Sequence, residues 1–169
     1  MKTPRIALTA LLTVALGVAA TLAYLSLAGK EQAPAVGYTL LDGSTGRLDE
    51  LRGKVVLVNF WATSCVTCVK EMPDLVATHR KYHAQGYETL AVAMSYDPPA
   101  YVANFAESRQ LPFGVAIDNT GEIARRFGDV RLTPTSVLIN RRGEIVKRYV
   151  GEPDFAALHA LIERLLAEG

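Results

Sequence analysis

The chain of 169 residues, half of them hydrophobic and with a net charge near +1, is long enough for one domain with a buried core plus a short appendage. Past residue 30 the 15 basic and 17 acidic residues leave a balance of −2 with no basic stripe interleaved with aromatics, which argues against nucleic-acid binding. Only two cysteines occur, both in one C-x-x-C, so no disulfide framework staples the domain and the pair serves chemistry or a metal.

Residues 1–30 are set apart. From Ile6 to Gly29 there is no charged residue, and Leu, Ala, Val and Thr dominate, the pattern of a membrane anchor or uncleaved signal rather than of part of the fold. Lys2 and Arg5 precede the run and Lys30 and Glu31 follow it, so the positive-inside rule keeps the N-terminus in the cytoplasm and exports everything after residue 30. The run exceeds the ~7–15 residues of a signal-peptide core and approaches the ~20 that span a bilayer. The expectation is a single-pass anchor in a bacterial inner membrane, with the domain in the periplasm or on the outer face. The alternative is cleavage after Ser26-Leu27-Ala28, which would leave a soluble periplasmic protein; no cysteine lies near that point, against a lipoprotein.

Residues 31–37, with Pro34 and Gly37, read as a tether, and the domain is expected over 38–169. Tyr38-Thr39-Leu40-Leu41 and a short partner near Leu48 flank the turn-rich stretch 42–46, which predicts a small β-hairpin. Val55-Val56-Leu57-Val58-Asn59-Phe60 is nearly all apolar and rich in β-branched residues, as a central strand buried on both faces requires. It ends at Trp61-Ala62-Thr63-Ser64. Thr63 or Ser64 is positioned to cap a helix that starts at Cys65, passes Pro73 with a kink, and stops at Gly86. Tyr87 to Tyr96 reads as the next strand and completes a right-handed β-α-β unit. After Asp97-Pro98-Pro99 come a helix over 100–109, a strand over 113–118 and a short helix over 121–127. Strands at 136–140 and 145–150, joined by the turn 141–144, form an antiparallel hairpin. Pro153 opens a final amphipathic helix with Phe155, Leu158, Leu161, Ile162 and Leu165 along one stripe. The order β-α-β, α-β, α-β-β-α predicts an α/β domain whose mixed central sheet has helices on both faces.

A strand feeding a helix that begins at Cys65 places this sulfur where free N–H groups and the helix dipole favour an anion. Thiolate is the nucleophile of disulfide exchange, so Cys65 should carry a lowered pKa and attack. Cys68, nearly one turn deeper, is close enough to close a disulfide and shielded from outside attack, which makes it the resolving sulfur.

The string Val58-Asn59-Phe60-Trp61-Ala62-Thr63-Ser64-Cys65-Val66-Thr67-Cys68-Val69-Lys70-Glu71-Met72-Pro73, with Thr133-Pro134-Thr135 downstream, resembles the active-site core of thioredoxin-like proteins of the TlpA/ResA type. The resemblance extends from about Tyr38 to the C-terminus and covers the N-terminal hairpin and the central α-β insertion. It implies a thioredoxin-like fold and an anchored extracytoplasmic thiol-disulfide oxidoreductase that acts as a disulfide reductase without a cofactor or a metal. Its partners would be disulfide-containing exported proteins of cytochrome c maturation or copper-centre assembly, and a membrane thiol electron carrier would re-reduce it. By position, Glu71 matches an acidic residue that tunes the cysteines and accepts a proton, and Pro134 matches the family's cis-proline. Thr133, just before it, would pair through its backbone with an extended substrate. Trp61 is expected to pack with one edge near the site, so that it joins Thr133 as a substrate-contact candidate. Two departures stand out: Ser64 replaces a common tryptophan, and Thr67 replaces a common proline and adds an N–H and a hydroxyl near Cys65. Asn59 replaces the buried acid of thioredoxin itself, which leaves Glu71 as the acid-base candidate.

The leading rival is a copper-binding metallochaperone that uses the two thiolates with Met72 and a distant histidine. Copper-assembly relatives place three residues between their cysteines, and His79, His83 and His159 read here as solvated faces rather than ligands. A peroxiredoxin-type peroxidase needs Thr or Ser three residues before its reactive cysteine, where this chain has Ala62. Net oxidase or isomerase activity is a third reading, because direction follows potential and partner.

Overall fold

The computed structural model describes residues 17, 18 and 31–168. Chain contacts divide it into two units, 1–30 and 31–169. Of the first, Gly17 and Val18 are helical; the rest of the expected anchor lies outside the described residues. Among the described residues no helix is long and apolar enough to cross a membrane.

The second unit begins with a hairpin of β1 (Gly37–Thr39) and β2 (Thr45–Arg47), followed by a single 3₁₀ turn over 48–51. The hairpin is shorter than the sequence suggests on its first strand and earlier on its second. Leu40 bridges Ala116 and the Leu41 N–H donates to the Val115 carbonyl at 3.0 Å, so this segment covers what would otherwise be an open sheet edge.

The main sheet follows. β3 (Val55–Trp61) leads into α1 (Val66–Tyr82), whose 17 residues continue through Pro73. A 3₁₀ turn over 83–85 then meets Gly86 in the left-handed conformation (φ 94°), which ends the segment where the sequence places the stop. β4 (Tyr87–Ala93) runs parallel to β3 and gives way at Met94 to a turn rather than continuing to Tyr96. Next come α2 (Pro99–Ser108), β5 (Gly114–Ile117), α3 (Glu122–Arg126), β6 (Thr135–Ile139), β7 (Ile145–Val150) and α4 (Phe155–Ala167). The strand order is β5-β4-β3-β6-β7, with β3, β4 and β5 parallel and β6 and β7 antiparallel. This is the mixed sheet expected from the element order.

β3 is buried at every position, and its alternation assigns each residue to a face. Val55, Leu57 and Trp61 join the cluster made with α1 and α4 through Leu75, Leu158 and Ile162. Val56, Val58 and Phe60 join the opposite cluster with Ile123 and Phe127 around α3. Asn59, between Leu57 and Trp61 in that period, is therefore turned toward α1.

Residues 31–36 are not a free tether. The Ala33 N–H donates to the Gly143 carbonyl at 2.8 Å, and the Ile145 N–H donates to the Glu31 carbonyl at 2.7 Å. Val36 is buried and its carbonyl accepts the Leu48 N–H at 2.9 Å. Pro34 and Gly37 look like linker composition, yet the backbone at Glu31 and Ala33, just before them, finds hydrogen-bond partners at Ile145 and Gly143 around the β6–β7 turn, over a hundred residues away in the chain.

Candidate active site

The site forms where β3 hands the chain to α1. The helix begins one residue later than its sequence suggests, at Val66, and its N-cap is Cys65, in an extended conformation (φ −89°, ψ 106°). The Cys65 sulfur accepts the Cys68 N–H at 3.2 Å and so fills the role expected of Thr63 or Ser64. Thr63 is engaged elsewhere: its N–H donates to Asp97 Oδ2 at 2.6 Å and its hydroxyl to Oδ1 at 2.5 Å. Asp97 is buried, and this pair fastens the loop before Cys65 to the turn after β4. The sequence shows Asp97 only as part of a break before two prolines; its partner lies 34 positions away.

Cys65 and Cys68 form a disulfide with Cα atoms 5.2 Å apart. Cys65 is half-buried, Cys68 is fully buried, and the residues around Cys65, namely Ser64, Val66 and Thr67, are exposed. Of the two sulfurs, the one at the helix N-terminus is thus the one an outside molecule can reach.

Beneath the pair lies a buried polar group. Glu71 is completely buried on α1, and Asn59 Nδ2 donates to its Oε1 at 3.0 Å and to Ser136 Oγ on β6 at 2.9 Å. Glu71 Oε2 and Asn59 Oδ1 have no hydrogen-bond partner among the described residues. Burial pushes the Glu71 pKa up to about 7; the Asn59 hydrogen bond opposes this, and the charges of Glu152 and Asp74 add to it. Glu152 is held in place by Lys70 of α1, whose Nζ is 2.8 Å away.

The Thr133–Pro134 bond is cis. Phe60 pairs with Thr135 across β3 and β6, so Pro134 lies at the level of Trp61, at the end of the sheet where the cysteine loop departs. The Pro134 carbonyl accepts the Gly151 N–H at 2.8 Å. The Thr133 main chain makes no hydrogen bond among the described residues, and its hydroxyl lies 3.3 Å from that of Tyr96. Val66 and Leu132, the neighbours of Cys65 and Thr133, are 84% and 66% exposed. Trp61, by contrast, has no exposed surface and packs on Phe105 with ring centroids 5.1 Å apart. It supports the site from below and offers no contact face to a substrate, since its place in β3 points it into the α1 side of the core.

The histidines also differ from expectation. His79 is buried, and His159 lies partly buried between α1 and α4 with Nε2 2.8 Å from Thr78 Oγ1; only His83 is exposed. His79 on α1 and His83, just past its end, lie side by side; His79 is turned to β4 while His83 stays open to solvent.

A β-α-β-rich mixed sheet with a C-x-x-C disulfide at the N-terminus of its central helix and a cis-proline opposite defines the class of thioredoxin-like thiol-disulfide oxidoreductases. The Redoxin family profile matches residues 28–162, and the chain belongs to that family. Among its relatives is the thiol-disulfide oxidoreductase ResA of Bacillus thuringiensis subsp. konkukian (strain 97-27), 41% identical over 100 residues. That alignment covers 59% of this chain and 57% of the relative, so the match spans little more than half of the relative's length. ResA of Geobacillus kaustophilus is 35% identical over 126 residues, which cover 70% of this chain and 72% of that one. A Neisseria meningitidis protein described as a thioredoxin superposes with a TM-score of 0.77 at 40% identity, over 83% of this chain and 93% of that one. A Chlorobium tepidum protein described as a DsbE thiol:disulfide interchange protein does so with a TM-score of 0.72 at 31% identity, over 81% and 96%.

Proposed function

We propose that this protein reduces disulfides in exported partner proteins, with Cys65 as the attacking and Cys68 as the resolving sulfur. The observation that carries the reading is the asymmetry of the pair: a half-exposed sulfur at a helix N-terminus beside a fully buried one. In the reduced protein the helix N-terminus favours the Cys65 thiolate. That thiolate attacks one sulfur of the partner disulfide, the S–S bond breaks, and the second partner sulfur leaves as a thiolate. Cys68 then attacks the Cys65 sulfur, which closes the bond seen here and releases the partner's other sulfur. Two electrons pass to the partner. Glu71, whose pKa near 7 lets it exchange a proton at neutral pH, takes the Cys68 proton as that thiol becomes a nucleophile. The free backbone of Thr133 beside Pro134 aligns an extended partner segment, and exposed Val66 and Leu132 give it an apolar seat.

The uncharged run from Ile6 to Gly29 behind Lys2 and Arg5 supports anchoring in a bacterial inner membrane with the domain on the extracytoplasmic side. There a membrane thiol electron carrier would return the disulfide to the dithiol, and cytochrome c maturation or copper-centre assembly would supply the partners. The test is trapping. Cys68→Ala cells should accumulate mixed disulfides through Cys65 that mass spectrometry identifies, and Cys65→Ala cells should accumulate none. Trapping through Cys68 in the second variant would reverse the assigned roles.

A further inference from the structure

The far end of α1 carries a second group of ligating side chains, about 21 Å along the helix from Cys65 at ~1.5 Å per residue. His79 and His83 stand one turn apart with rings stacked at 4.6 Å and 29°. Glu88, the second residue of β4, reaches both: one carboxylate oxygen is 3.8 Å from His79 Nδ1 and the other 3.6 Å from His83 Nδ1. One ligand atom from each of the three lies within 4.8 Å of the others. His79 is only 4% exposed, packed among the rings of Tyr87 and Phe113, and its Nδ1 is buried with no hydrogen-bond partner among the described residues. A buried nitrogen without a partner is rare in native proteins, and here it is turned toward a carboxylate too distant to bond it.

We propose that His79, His83 and Glu88 bind a divalent transition-metal ion, with zinc as the ion the donors suit best. Two imidazole nitrogens and one carboxylate oxygen are a zinc donor set, with water completing the tetrahedron, whereas calcium and magnesium take oxygen ligands. Tetrahedral bonds of about 2.0–2.1 Å space the donors roughly 3.4 Å apart, so donors that now lie within 4.8 Å of one another must close by at most about 1.4 Å, which rotation of the exposed His83 ring and of the Glu88 carboxylate supplies. The ion would satisfy His79 Nδ1 and clamp the end of α1 to the start of β4. Lys54 Nζ, 3.2 Å from Glu88 Oε2, is the competing cation; it sits on a flexible, half-exposed stem that can withdraw to solvent. The site is separate from the redox pair and does not depend on the function proposed for it.

The test is calorimetric titration of zinc chloride into the full-length, tag-free protein in its oxidised form, where the Cys65–Cys68 disulfide keeps both sulfurs from binding metal. One zinc per chain and a thermal midpoint that rises with zinc are expected. Changes behind the ligands cost about 10–100-fold in metal affinity, so loss of a direct ligand in the exposed His83→Ala variant should weaken binding by at least about tenfold and remove the thermal shift. Glu88→Gln should do the same. The proposal is overturned by no stoichiometric binding, or by binding of equal strength in wild type and His83→Ala.

Discussion

Glu71 shows how a single buried carboxyl couples the site to pH. Asn59 Nδ2 reaches one of its oxygens while the other lacks a partner, and burial raises its pKa from 4.5 to about 7. Protonation removes the charge from the buried carboxyl, which lessens the cost of keeping it out of water. Between the two pKa values the folded state holds a proton that the unfolded state has released, so stability falls as pH rises through that window. Below the lower value the penalty is absent; above the upper one it is complete, at about 3 kcal/mol or less. Glu71→Gln removes it. In urea unfolding of the oxidised proteins, the variant should gain about 1–3 kcal/mol relative to wild type between about pH 5 and about pH 8. An equal difference at both pH values would show that the carboxyl does not titrate there. Asn59 and Glu71 could both be picked out as candidates in the sequence, but their contact could not, because it depends on which face of β3 looks at α1.

At the scale of elements, α1 and β3 were legible from periodicity and composition, and their ends were less so. Cap residues are chosen by what else competes for them. Thr63 is a good cap by type, yet Asp97 occupies both its donors, and the Cys65 sulfur accepts the N–H instead. The same principle governs α3. Its sequence offers Asp118, Asn119, Thr120 and Gly121 before the start, and it is the buried Asp118 carboxylate, three residues before Gly121, that accepts the Ile123 N–H at 3.1 Å and the Ala124 N–H at 2.8 Å. Two charge-assisted bonds to otherwise orphaned helix N–H groups tie down the start of this five-residue helix. Asp118→Ala should destabilise the domain by about 2 kcal/mol in chemical denaturation, with faster hydrogen exchange at the Ile123 and Ala124 amides. Unchanged exchange there would mean that the rest of the fold, not Asp118, holds the turn.

For the whole molecule, the segment that reads as a linker becomes part of the domain. Residues 31–36 bring three backbone hydrogen bonds and buried Val36. A chain that starts at Glu31 should keep the thermal stability of the full-length domain, whereas one that starts at Tyr38 should lose about 2–4 kcal/mol, given ~1 kcal/mol per hydrogen bond and ~2 for a buried valine less the entropy of a freed end. Equal melting of the two truncated chains would assign those contacts no net stability.

By itself the sequence determined the class of fold, the order of nearly all its elements and the cysteine pair, because each is written in short-range signals: the buried run of β3, the stop at Gly86, the hairpin turn 141–144, and C-x-x-C at a strand-to-helix junction. What only the tertiary structure decided is what meets across the sheet and around α1. Strand register set Pro134 level with Trp61, the pleat of β3 turned Asn59 to Glu71, and packing of α1 on the sheet buried His79 against β4 beside Glu88. Those contacts join residues that are distant in the chain, and their geometry is fixed by packing, which local composition does not encode.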